Sequence, residues 1–209
     1  MENLYLIAVE GIDGSGKTTL VHILENYFVN KGFQVTALTS GGTDPTGIEA
    51  QLKSIVTSGS NNCTPNTELL LYFASLSQKY GQFILPALRE KKIIIVDRYI
   101  HSYIVFSKCI YHQDDSFTNM MINFTTNNYQ PNFLFLCDLD ENVAFSRLQS
   151  RKRLSKREQQ GTNLLSEMRK GFLNEYENHN GRKMILHTDV DTISDLEEKV
   201  NAWGNSIFV

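Results

Sequence analysis

Gly11-Ile12-Asp13-Gly14-Ser15-Gly16-Lys17-Thr18 is the stretch whose reading decides the fold. Its spacing is G-x-x-x-x-G-K-[ST], the pattern of a phosphate-binding loop. The apolar run Leu4-Tyr5-Leu6-Ile7-Ala8-Val9 before it suits a strand buried on both faces. Thr19 to Phe28 after it carries apolar residues at helical spacing. Strand, loop and helix therefore stand in the order that aims backbone N–H groups and a helix N-terminus at phosphate oxygens. Lys17 is placed to reach the β/γ-phosphates and the Thr18 hydroxyl to hold Mg2+, so Gly11 through Thr19 is a candidate binding segment for a nucleoside triphosphate.

Outward from the loop, further apolar runs alternate with helical patterns. Phe33–Leu38, Ile93–Val96, Phe133–Cys137 and Met184–Leu186 are short and rich in β-branched and aromatic residues, as strands are. Helical patterns cover about 66–90, 99–127 and 141–179, with Ile193–Trp203 as a closing helix that Asp191 or Thr192 is placed to cap. Gly41–Gly47 and Ser58–Asn62 read as turn-rich loops. The alternation predicts an α/β fold of the P-loop NTPase kind: a five-stranded parallel sheet with helices on both faces, in a single domain over 1–209. Ligands of such sheets collect at the carboxyl ends of the strands.

Composition narrows the function. A chain of 209 residues, 41% hydrophobic, with a formal charge of −3, lacks the basic excess of a general nucleic-acid binder. Cys63, Cys109 and Cys137 show no paired metal spacing and read as reduced thiols. No apolar stretch approaches the roughly 20 residues of a membrane span. The expectation is a cytoplasmic protein with no nucleic-acid or membrane partner.

Two further groups carry chemistry. Asp97 and Arg98 directly follow the strand Ile93–Val96. An acid there suits a magnesium site beside a phosphate loop, and the arginine suits bidentate capture of a phosphate. The competing reading makes Asp97 a helix cap and Arg98 a surface ion-pair partner. Arg147, Arg151, Lys152, Arg153, Lys156 and Arg157 form a basic run. Arg147, Arg151 and Arg153 are candidate catalytic groups in a lid at about 147–160, because phosphoryl transfer spreads charge that mobile cations stabilise. A solvated helix face is the alternative.

These residues resemble thymidylate kinases, which phosphorylate dTMP with ATP. The resemblance runs through Glu10–Thr19, Leu71-Tyr72-Phe73-Ala74, Ile84–Leu88, Asp97-Arg98-Tyr99 with Ser102, Leu136–Asp140, and the lid with Arg147, Arg151, Leu154, Glu158 and Gln159. It implies a nucleoside monophosphate kinase with ATP and Mg2+ as co-substrates, often a homodimer. It places Asp13 near the acceptor sugar or the metal, Arg98 on the acceptor phosphate and Phe73 against the acceptor base, although core packing is the plainer reading of Phe73.

The chain also departs from the family. An Arg-Glu-Pro segment after the second strand is missing, Leu76-Ser77 stands where an Asp-Arg pair reads the base, and Phe106 and Phe172 replace tyrosines. Ser77 and Phe106 are therefore candidate substrate-binding positions of altered chemistry. Losing polar groups weakens discrimination. The alternatives are thus a kinase of the same scaffold with another nucleotide or a phosphorylated metabolite as acceptor, or a weakly active nucleotide-binding protein.

Overall fold

In the computed structural model, residues 6–39, 46–57, 62–151, 154–155 and 157–207 are described. The apolar runs are strands: β1 (Leu6–Glu10), β2 (Val35–Leu38), β3 (Ile93–Asp97), β4 (Phe133–Asp138) and β5 (Arg182–His187). All pair in parallel, in the order β2-β3-β1-β4-β5. Each residue of β1, β3 and β4 is buried, which accounts for runs that are continuously apolar rather than alternating.

Successive side chains serve opposite faces of the sheet. Ile7, Val9, Ile95, Phe133 and Phe135 pack under α1 (Lys17–Asn30) and α9 (Ile193–Ile207). The Trp203 ring of α9 lies 4.6 Å from Phe133 and 4.9 Å from Phe135, centroid to centroid. Burying one such aromatic side chain is worth about 1.5–3 kcal/mol. Thr192 and Asp195 cap α9 reciprocally, the Asp195 N–H donating to Thr192 Oγ1 and the Thr192 N–H to Asp195 Oδ2. On the other face, Leu6, Ala8, Ile94, Val96 and Leu134 meet α3 (Pro65–Lys79), α4 (Leu85–Arg89), α5 (Ile100–Cys109) and α6 (Asp115–Thr126).

The helices differ from the sequence reading at four places. The pattern at 99–127 is two helices, α5 and α6, because Asp114 caps a new start by accepting the Phe117 N–H. The pattern at 141–179 is likewise α7 (Glu141–Gln149) and α8 (Thr162–Asn178), separated by the lid and by Gly161 at φ 83°. Between the two expected loops stands α2 (Ile48–Thr57), packed on α3. Of those loops, 41–45 and 58–61 lie outside the described residues. The helix expected at about 66–90 is present, but widens into a π turn at Tyr80–Ile84, next to Pro86, which has no N–H to donate.

Candidate active site

The register of β1 against β3 aligns Val9 with Asp97. The phosphate loop and the Asp97-Arg98 pair consequently leave the sheet side by side, at the carboxyl ends of neighbouring strands. A cleft of about 750 Å³ opens there, walled by the loop, α2, α3, α5 and the lid.

On the loop side, Gly16 opens α1 at φ 81° and Lys17 is 7% exposed, its Nζ donating to the Ile12 carbonyl at 2.7 Å. Burial first, and Arg98 second, pull the Lys17 amine down to about 8 against the opposing pull of Asp97 and Asp13. Asp13, Gly14, Gly16, Thr18 and Thr19 line the cleft. The Ile12 and Ser15 side chains and Gly11 are buried, with Ser15 Oγ accepting from Lys17 Nζ at 3.4 Å, so toward the cleft these three offer backbone only.

Thr18 Oγ1 donates to Asp97 Oδ2 at 3.0 Å, while Asp97 Oδ1 is buried with no hydrogen-bond partner among the described residues. A hydroxyl beside a carboxylate with a spare oxygen fits Mg2+, which keeps several waters and phosphate oxygens and so needs few protein ligands. Asp97 does not cap α5: the N-cap is Tyr99, and it makes no side-chain cap bond.

Arg98 is 7% exposed and adopts φ 70°, a left-handed conformation uncommon for a residue with a side chain. Its N–H donates to the Val9 carbonyl, and its guanidinium donates to Gly11 O at 3.0 Å, Ser102 Oγ at 3.1 Å and Asp13 Oδ1 at 2.5 Å. Behind it, buried Glu10 accepts from the Tyr99 N–H at 2.8 Å and from the Ser102 N–H and hydroxyl. Burial raises the Glu10 carboxyl to about 7, despite those donors and Arg98. Glu10 thereby fixes the first turn of α5 and with it Arg98.

From the lid, Arg157 reaches Asp13 Oδ2 with Nε at 3.2 Å and Nη2 at 2.9 Å, donates to the Tyr72 hydroxyl, and lies 4.5 Å from the Phe106 ring centroid. Asp13 thus bridges two arginines. Burial alone would raise its carboxyl, but Arg157, then Arg98 and Lys17, hold it far below the usual carboxylate range. Arg147 donates to the Gly14 carbonyl at 3.3 Å and to Thr188 O at 2.6 Å. Half-exposed Arg151 pairs with Glu158 at 3.2 Å. Both line the cleft, which a solvated helix face would not do. Arg153, Lys152 and Lys156 lie outside the described residues.

Two expected acceptor contacts require correction. Phe73 is 1% exposed and packs on Tyr103 and Phe117 in the core, and Ser77 points to solvent; neither lines the cleft. The cleft face of α3 is Tyr72, Ser75 and Lys79, one residue out of phase with that expectation, whereas Leu69, Phe73 and Leu76 form the stripe against the sheet. Leu76 is fully buried and Phe172 is core. Phe106 does line the cleft, beneath Arg98 and Arg157. Burial pushes the Cys137 thiol up to about 12, as suits plain core packing.

Glu49, Lys79 and Tyr103 are absent from the sequence reading, where Glu10 and Tyr72 stand only within the resemblance and Arg157 only within the basic run. Tyr72-Ser75-Lys79 at helical spacing was the available signal for α3.

A family model described as thymidylate kinase matches residues 9–200. The thymidylate kinase of Kosmotoga olearia is 25% identical over 194 residues, covering 93% of this chain and 92% of the relative. That of Geotalea daltonii is 30% identical over 195 residues, covering 88% and 90%. That of Fervidobacterium nodosum is 32% identical over 144 residues, covering 69% and 71%.

Proposed function

The chain belongs to the thymidylate kinase family, and from that membership we propose that its cleft transfers the γ-phosphoryl group of ATP to dTMP, giving dTDP and ADP. The observation that carries the residue assignments is the convergence, on one cleft, of a phosphate loop with a buried lysine and a buried arginine aimed at the same opening.

The loop N–H groups and Lys17 hold the β/γ-phosphates, Lys17 exchanging the Ile12 carbonyl for phosphate oxygen. Thr18 and Asp97 would hold Mg2+ and its waters, and the ion would supply charge stabilisation to the phosphoryl group in transfer. Arg98 holds the acceptor phosphate. Phe106 and Tyr72 wall the acceptor side. An acceptor phosphate oxygen attacks the γ-phosphorus in line, the bond to the β–γ bridging oxygen breaks, and ADP leaves. A phosphate dianion brings its own electron pair, so the step needs no base from the protein. Its demands are alignment and charge stabilisation, supplied by Lys17, Arg147, Arg151 and Arg157, with Arg153 as a further lid candidate.

The same reading carries a cytoplasmic homodimer. Among the described residues no helix is long and apolar enough to cross a membrane. Met120 and Phe124, 59% and 81% exposed on α6, are apolar surface that such a dimer would cover. Light scattering of the purified chain tests the assembly.

The decisive assay is ADP release with ATP and Mg2+ across dTMP, dUMP, dGMP, CMP and phosphorylated metabolites. Preference for dTMP supports the proposal, and ATP binding without turnover on any acceptor overturns it.

A further inference from the structure

Resting on the reading of this cleft as a dTMP site, we propose that Glu49 and Lys79, from the packed helices α2 and α3, read the acceptor base in place of the missing family arginine. Leu76 and Ser77, which stand where the family pair is expected, face the core and the solvent, and neither lines the cleft. Lys79 is on the cleft face of the same helix, and Glu49 faces it from α2.

Their side chains are 3% and 5% exposed, with Lys79 Nζ 3.3 Å from Glu49 Oε1. Lys79 Nζ also donates to the Arg98 carbonyl at 3.4 Å, which ties the pair to the residue assigned to the acceptor phosphate. Glu49 Oε2 is buried and has no hydrogen-bond partner among the described residues. An ionised oxygen without a donor is costly to bury, and its presence in a ligand cleft calls for a donor on the ligand. Tyr72 and Tyr103 line the cleft beside the pair, and aromatic side chains suit the wall of a pocket for a planar base.

The donor pattern then selects the base. Thymine and uracil present an imide N–H next to a carbonyl, and guanine presents the same N–H and carbonyl on its lactam edge. Glu49 Oε2 accepts from the N–H while the Lys79 ammonium donates to the carbonyl. Cytosine and adenine put a bare ring nitrogen where that N–H would be. Its lone pair faces the carboxylate, and both groups are left unpaired. Rejection by unpaired buried groups is the strongest discrimination that a polar site achieves.

The test compares kcat/KM for dTMP, dUMP, dGMP, dCMP, dAMP and N3-methyl-dTMP in the wild type, Glu49→Gln, Lys79→Met and the double variant. The wild type is expected to favour imide or lactam edges over dCMP and to lose at least about tenfold on N3-methyl-dTMP, which lacks the N–H. The dGMP arm tells whether the lactam edge alone suffices or ring size also selects. In the double variant the dTMP-to-dCMP ratio should fall by about tenfold or more, while KM for ATP and binding of deoxyribose 5-phosphate move less than about threefold. A purely structural ion pair would disturb all of these together.

The N3-methyl comparison needs only the wild type, so the proposal stays testable if a variant fails to fold. Equal use of dTMP and N3-methyl-dTMP, or wild-type selectivity in the double variant, overturns this inference and leaves the kinase assignment standing. Absence of transfer to every nucleotide overturns both.

Discussion

Replacing Gly14 by alanine should damage this protein more than the same change at Gly16, although both glycines adopt nearly the same backbone. Gly14 has φ 85° and Gly16 φ 81°, so each alanine carries the left-handed cost of about 1–2 kcal/mol. The surroundings differ. A Cβ on Gly14 would sit 2.7 Å from the Ala144 carbonyl oxygen and 3.3 Å from the Ala144 carbonyl carbon and Cα, all backbone of α7. A Cβ on Gly16 would find its nearest neighbour, Thr188 Cβ, at 4.0 Å. Forcing a methyl against a helix backbone adds about 1–3 kcal/mol. For a chain of this size, 1 kcal/mol lowers Tm by about 2–4 °C. Gly16→Ala should therefore cost roughly 2–8 °C in calorimetric unfolding, and Gly14→Ala clearly more. Gly14→Ala also shifts the carbonyl that Arg147 binds, and a displacement of about 1 Å in such a site lowers kcat by about 10²-fold. If Gly16→Ala proves the more destabilising of the two, the contact with α7 does not constrain the loop and the reasoning fails.

The depressed Lys17 amine makes ATP binding depend on protons. The folded pKa of about 8 lies below the usual lysine value of 10.5, so the nucleotide-free fold loses stability as pH falls from about 10.5 to about 8 and this group adds no further pH dependence below that, and bound phosphate restores the charge. At pH 8, binding should take up about half a proton, read by calorimetry in buffers of different ionisation enthalpy; undiminished uptake in Lys17→Met would assign it elsewhere. Arg98→Ala should raise KM for the acceptor at least tenfold, about 1.4 kcal/mol, and leave the Kd for ATP nearly unchanged; an equal loss of ATP affinity by titration calorimetry counts against a role on the acceptor phosphate. Arg157→Ala should lower kcat about 10²- to 10³-fold in the ADP-release assay with little change in KM for ATP; turnover within threefold of wild type would reduce Arg157 to a brace for Asp13.

The parts of the site legible in the sequence were those whose chemistry is local in the chain. Eight consecutive residues declare the loop, and one strand end declares Asp97 and Arg98. Residues on α3 were harder, because a helix turns about 100° per residue and adjacent Tyr72 and Phe73 face quite different surroundings. The apolar stripe Leu69, Phe73, Leu76, Tyr80 settles the phase, with Tyr72, Ser75 and Lys79 left for the cleft. That evidence was present in the spacing; resemblance to the family, read one residue out of step, outweighed it. Glu49 was beyond reach. It meets Lys79 in an ion pair across two packed helices, and no local pattern in the chain announces α2 as a wall of the cleft.

Net charge was equally silent, for a reason visible in the cleft. A site that gathers Lys17, Lys79, Arg98, Arg151 and Arg157 would repel itself without substrate in a medium less polarisable than water. Each cation has its own answer: Lys17 the Ile12 carbonyl, Arg98 and Arg157 the shared Asp13 carboxylate, Arg151 Glu158, and Lys79 Glu49. Three carboxylates within a few ångströms offset most of these five cations, and acidic residues elsewhere bring the sum over the chain to −3. Low net charge therefore speaks against a long polyanion lying on the surface. It carries no information about a pocket that admits one phosphate chain at a time, where the local arrangement of cations decides binding.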